Sequence, residues 1–103
     1  APDDGHALAP LLDGGFAVDA VKRIADPKDR WTHFYPDERA YRQLDYVLLS
    51  PSLARKNKEA VPRILRQGLP YRAERYQGPR YPRIGWDRPK ASDHCPVVMD
   101  LTF

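Results

Sequence analysis

The stretch Leu44-Asp45-Tyr46-Val47-Leu48-Leu49 constrains the fold of this chain most. Leu44, Tyr46 and Leu48 alternate with Val47 and Leu49, so an extended segment here is apolar on both faces, the pattern of an interior strand. Asp45 lies inside it. A carboxylate buried without a partner costs several kcal/mol or else protonates, so Asp45 is expected to be paired or hydrogen-bonded. An aspartate fixed in this way suits one task well, which is to set the tautomer of an imidazole and stabilise its charged form.

A second stretch supplies that imidazole. Ala91-Ser92-Asp93-His94-Cys95-Pro96 runs into Val97-Val98-Met99-Asp100-Leu101-Thr102-Phe103. The tail reads as a strand with Val97, Met99, Leu101 and Phe103 on one face and Val98, Asp100 and Thr102 on the other. Pro96 cannot donate to a ladder, so it belongs at the strand's first position or on an edge. Ser92, Asp93 and His94 are thereby presented at the rim of a sheet, where an acid beside an imidazole can bind a metal, relay a proton or hold a phosphate oxygen. The plainer reading is a turn in which Asp93 caps an amide and His94 is solvated. Cys95 is not read as a nucleophile: adjacent strand side chains face opposite ways, which turns it from His94 into apolar surroundings. One cysteine and three scattered histidines also lack zinc-ligand spacing.

Taken in order, Leu44-Asp45-Tyr46 with Leu48-Leu49-Ser50-Pro51-Ser52-Leu53, then Ser92-Asp93-His94-Cys95-Pro96-Val97, resemble the endonuclease/exonuclease/phosphatase superfamily, the deoxyribonuclease I-like and exonuclease III-like metal-dependent phosphodiesterases. The resemblance implies that His94 acts at the scissile phosphate, that Asp45 orients it, and that Asp93 positions a metal or the attacking water. It also implies a divalent cofactor, magnesium before manganese. The implied architecture is α+β, with residues 1–103 forming the C-terminal half of a four-layer α/β sandwich. Such domains are longer, and their first half carries a metal-binding Glu and a Gly-Asp-Phe-Asn motif. Neither is present here. Ala1 to Leu12 looks like the continuation of that motif, so the chain is expected to begin just after it and to be inactive alone. The missing N-terminal half is then the first expected partner. A homodimer through the exposed inner face is the second.

The remaining sequence adds smaller expectations. Asp3 and Asp4 are candidate caps for a short helix carrying Ala7, Leu8, Leu11 and Leu12, limited by Pro10. Val18, Val21, Ile24 and Ala25 are spaced for one helical face. Trp31 to Tyr35 reads as a strand, in which His33 packs beside Trp31 and Phe34 unless it approaches the site. Arg42 sits near the rim and is a candidate phosphate contact. His6 reads as an exposed loop histidine.

Charge is segregated. Residues 55–90 hold eleven basic and three acidic side chains, a net +8, whereas the remainder carries six basic and eleven acidic, a net −5. Gly68 to Pro89 reads as a long loop in which Tyr71, Tyr76, Tyr81 and Trp86 alternate with arginines, either stacking on a substrate or anchoring the loop. Its end delivers Arg88 and Lys90 to Asp93 and His94 as candidate substrate contacts. No apolar run approaches the roughly 20 residues needed to cross a bilayer. The single cysteine excludes an internal disulfide framework.

The expected activity is hydrolysis of a phosphoester, most readily a phosphodiester, with nucleic acid among the candidate substrates. Two alternatives are a non-catalytic nucleic-acid-binding module using the basic loop 55–90 and a degenerate scaffold. Salt-dependent binding that survives loss of His94 marks the first.

Overall fold

The computed structural model describes residues 8–103. The chain is α+β, built from short elements. In order these are α1 (Ala9–Asp13), β1 (Val18–Asp19), β2 (His33–Tyr35), β3 (Ala40–Arg42), β4 (Leu48–Leu49), α2 (Pro51–Lys56), β5 (Arg63–Ile64) and β6 (Val97–Val98). Three antiparallel two-stranded ribbons result, β1 with β4, β2 with β3 and β5 with β6. The caps Asp3 and Asp4, with His6 and Ala7, lie outside the described residues.

α1 carries Pro10 in its first turn, where no helical hydrogen bond is lost. The chain leaves it through Gly15 at φ 76°, a left-handed conformation that glycine adopts without cost. Phe16 then returns its amide to the Leu11 carbonyl at 3.0 Å.

The expected helix over residues 18–25 forms only as a 3₁₀ turn, Ala20–Arg23, after an extended Val18–Asp19. Asp19 explains the break. Its carboxylate caps the turn by accepting the Val21 amide at 3.0 Å, which holds residue 19 extended and lets β1 pair with β4.

The interior strand expected over 44–49 is not formed. Only Leu48 and Leu49 are extended, and they pair on one side, with Val18 opposite Leu49 and Asp19 opposite Leu48. Leu49 is buried but Leu48 is 36% exposed. Residues 44–47 are irregular, because the Leu44 and Asp45 amides turn towards the Thr32 hydroxyl instead of a neighbouring strand. The terminal strand is likewise short. Only Val97 and Val98 pair, opposite Ile64 and Arg63. Met99 and Leu101 still pack against the Ala20, Leu49 and Ala54 cluster, while Phe103 is 85% exposed.

α2 is a helix that apolar periodicity does not reveal. Its start signal is local: Ser50 caps by accepting the Leu53 amide at 3.2 Å, and Pro51 occupies the first position. Arg23 closes the other end, donating to the carbonyls of Ala54 at 3.0 Å, Asn57 at 2.5 Å and Ala60 at 2.9 Å. Buried Asn57 then ties the helix to the chain's end. Its amide donates to the Thr102 carbonyl at 2.9 Å, and its oxygen accepts the Thr102 amide at 2.7 Å.

A second cluster, Trp31, Phe34, Leu69, Ala73 and Cys95, forms the core under the long loop. Residues 68–89 are irregular, as expected, and arginines order much of them. Arg80 donates to four carbonyls, of Leu69, Pro70, Ala73 and Tyr76, and lies over the rings of Tyr71 and Tyr76. Arg66 lies 4.0 Å over the Trp31 ring and donates to the Asp29 and Trp31 carbonyls. Arg75 covers Tyr41 at 4.3 Å, and Arg72 holds Asp87 and the Pro36 carbonyl. These four guanidinium groups anchor the loop, whereas Tyr71, Tyr81 and Trp86 are half-exposed or more.

Candidate active site

The hairpin of β2 and β3 places His33 opposite Arg42, Phe34 opposite Tyr41 and Tyr35 opposite Ala40. Pro36 starts its four-residue turn, and the Arg39 amide donates back to the Pro36 carbonyl at 3.3 Å. The other edge of β2 meets the segment around His94. Phe34 donates to the Asp93 carbonyl at 3.0 Å, Cys95 donates to the Thr32 carbonyl at 2.7 Å, and His33 bridges His94. Arg42, His33 and His94 therefore stand side by side across three chain segments. Directly paired residues share a face, and their sequence neighbours take the other. Cys95 accordingly turns into the core at 2% exposure, while the His94 side chain remains 52% exposed.

His94 Nδ1 lies 2.9 Å from Asp45 Oδ2. The pairing read from the sequence is thus realised, but not from within a buried strand. The Asp45 side chain is 40% exposed and sits on the irregular segment. Its support is Thr32, whose fully buried hydroxyl accepts the Leu44 amide at 2.9 Å and the Asp45 amide at 3.0 Å. Thr32 also donates its amide to the Arg42 carbonyl at 2.9 Å. One residue therefore joins the turn carrying Asp45 to the segment carrying His94, whose Cys95 amide donates to the Thr32 carbonyl. In sequence Thr32 reads only as a β-branched strand residue, and no local signal marks its hydroxyl as reaching thirteen positions along the chain.

Gln43 adds a second brace. Buried itself, it donates to Asp19 at 3.2 Å and to the Asp45 carbonyl at 3.4 Å. His94 is held from its own side as well, since its amide donates to the Ser92 hydroxyl at 3.0 Å.

The structure brings Lys90 to Asp93, with Nζ 2.8 Å from Oδ1. It does not bring Arg88 onto the pair: Arg88 is exposed, in a shallow concavity shared with Lys90, Ala91 and Ser92. Arg42 is half-buried, 3.5 Å from Glu38 and 5.2 Å over the Tyr35 ring, so Glu38 partly neutralises it.

His33 belongs to the site through its ring. It stacks edge-on against His94 with centroids 4.3 Å apart and against Tyr35 at 4.2 Å. Its Nδ1 is buried and has no hydrogen-bond partner among the described residues. Burial, and then the neighbouring His94, hold its pKa below the usual histidine value, while Asp93 and Asp45 partly offset them. The Cys95 thiol is pushed up to about 11, chiefly by burial, with Arg66 opposing, and a thiol so placed is inert at neutral pH.

Among the described residues, no group of three or more His, Cys, Asp or Glu side chains is arranged to hold a metal ion. The Asp93 carboxylate faces the Lys90 ammonium and the Asp45 carboxylate faces His94. The described residues by themselves do not compose a divalent-cation site, for which several oxygen ligands must converge.

No family model, curated protein or solved structure matches this chain. Fold and site together define a small α+β chain that presents an imidazole–carboxylate pair where three of its segments meet. Among the described residues no helix is long and apolar enough to cross a membrane.

Proposed function

We propose that this chain is the C-terminal half of an endonuclease/exonuclease/phosphatase-type sandwich and contributes the imidazole of a phosphoester-hydrolysing site, acting most readily on a phosphodiester. The observation that carries this reading is the 2.9 Å contact between His94 and Asp45, one from each of the two motifs that resemble the family. With Nδ1–H donated to Asp45, Nε2 is left for the substrate. Protonated, it donates to a phosphoryl oxygen and stabilises the charge that gathers there as water adds to phosphorus and the ester oxygen departs. Asp93, steadied by Lys90, is the acceptor for the proton of that water. Lys90 and the exposed Arg88 offer positive charge to the anionic substrate.

A divalent cation, magnesium before manganese, would take Asp93 together with ligands from outside the described residues. The exposed apolar side chains Val61 and Phe103, respectively 51% and 85% exposed, support an inner face covered by the other half of the domain or by a second copy.

A second reading is favoured by cations left at the surface along residues 55–90. Arg55, Lys56, Lys58, Arg63, Arg83 and Arg88 are all exposed and suit a nucleic-acid backbone. Turnover of bis(p-nitrophenyl) phosphate by the full-length protein separates the two. Hydrolysis predicts that His94→Ala or Asp93→Ala loses at least about a hundredfold in rate. Unchanged turnover in both variants rules it out, and salt-dependent DNA binding unaffected by His94→Ala then identifies a binding module.

A further inference from the structure

Two concavities adjoin at the candidate site. One, of about 400 Å³, is lined by His94 and Asp45 together with Leu65, Leu69, Tyr81 and Val97. That volume is within the range of small-molecule sites, and an apolar lining with a few converging polar groups is what such sites share. The other contains Arg88 and Lys90. Ala91 and Ser92 line both, so they form the partition between an apolar chamber and a basic one.

The partition depends on a close backbone approach. The Ala91 amide donates to the Gly68 carbonyl at 2.9 Å, and a Cβ on residue 68 would come within 2.7 Å of the Ala91 Cβ. Glycine at 68 is what lets the long loop close against Ala91 and shape the chamber. The Lys90 ammonium engages Asp93 with one of its three donors, which leaves others for an oxyanion.

We infer that the chamber beside His94 receives an apolar, ring-sized substituent of a phosphoester whose oxyanion is held by Lys90 and Arg88, so that the preferred ligand is the phosphate ester of an apolar or aromatic alcohol. This rests on the phosphoesterase reading and adds to it the character of the ester group. A bare phosphate, or one esterified to a very small alcohol, leaves the apolar walls in contact with water. A ring removes that contact while its phosphate stays beside the imidazole. Tyr81, half-exposed at the chamber wall, offers a face for the ring to pack on.

Titration of the chain with phenyl phosphate, methyl phosphate and inorganic phosphate, followed in amide NMR spectra, tests this. Phenyl phosphate is expected to bind at least about tenfold more tightly than methyl phosphate, the order of selectivity an apolar pocket gives. Its shifts should concentrate at Gly68, Leu69, Tyr81 and Cys95. Leu65→Trp, at a chamber-wall position 37% exposed, fills the chamber and should erase the advantage of phenyl over methyl phosphate. Tyr81→Ser, at a position 50% exposed, should reduce the advantage independently. Equal affinities for phenyl and methyl phosphate overturn the inference, as does an advantage that survives both variants. Release of phenol by the full-length protein reports on the other reading. Selective binding without turnover removes the hydrolytic reading and keeps the chamber, and turnover indifferent to the ring does the reverse.

Discussion

The hydroxyl of Thr32 accepts the Asp45 amide at 3.0 Å, and through this bond the strand that contacts His94 also sets the carboxylate that meets it. The same oxygen accepts the Leu44 amide, so a single buried atom fixes the turn over both residues. Thr32→Val keeps the shape and removes the acceptor, stranding two amides. A cost of about 1–3 kcal/mol in stability is expected, the range for leaving a buried group unsatisfied. A merely structural role stops there. A positioning role adds a fall in kcat larger than any rise in KM, with Thr32→Ser restoring most of it. Chemical denaturation and steady-state kinetics on the same variants decide between them.

Asn57, only 8% exposed, satisfies the end of α2 and the Thr102 backbone together. Its replacement by alanine leaves both Thr102 groups without these partners. Asn57→Ala is expected to cost about 2–3 kcal/mol and to release the C-terminal residues before the rest of the chain. Hydrogen exchange that rises first at Thr102 bears this out. Uniform exchange along the chain contradicts it.

His33 gives the fold a defined acid sensitivity. Its folded pKa lies below the ordinary 6.5 because burial penalises the charged ring and His94 stands beside it. Well above that value the ring is neutral in both states and contributes no pH dependence. As pH falls through 6.5 the unfolded chain takes up the proton first, so stability declines until the folded ring titrates too. His33→Phe should flatten the stability profile in this window. An unchanged slope in denaturation curves between neutral and mildly acidic pH contradicts the assignment.

Val61, just before β5, and Phe103 are 51% and 85% exposed and leave apolar surface uncovered. The half-domain reading predicts that the chain associates with itself as concentration rises. Sedimentation velocity should show a concentration-dependent increase in size. A monodisperse monomer over the same range argues against that reading.

The sequence anticipated the contact between His94 and Asp45 better than it anticipated the strands. His94 and Asp45 meet as expected from residue types that pair, but only His94 is held by local turn chemistry, its amide donating to the Ser92 hydroxyl. The strand over 44–49 did not form because its amides found Thr32, a partner twelve and thirteen residues earlier, and alternation of side chains carries no information about such a bond. Asp19 undid the helix over 18–25 by capping its own turn from an extended position. His33 was legible as a strand residue, but its stacking on His94 depends on an antiparallel bridge between segments about sixty positions apart. The loop arginines carried their charge openly, yet four of them are committed to carbonyls and rings, a use that net charge does not distinguish from substrate binding.

The central claim is that His94 and Asp45 act as one unit on a phosphoester, and a double-mutant cycle measures that directly. The full-length protein, His94→Ala, Asp45→Asn and the double variant are compared by kcat/KM on bis(p-nitrophenyl) phosphate. A functional unit predicts that each single variant loses at least about a hundredfold and that the double loses little more than the worse single. Losses that multiply in the double variant, or a single variant that keeps its activity, contradict it.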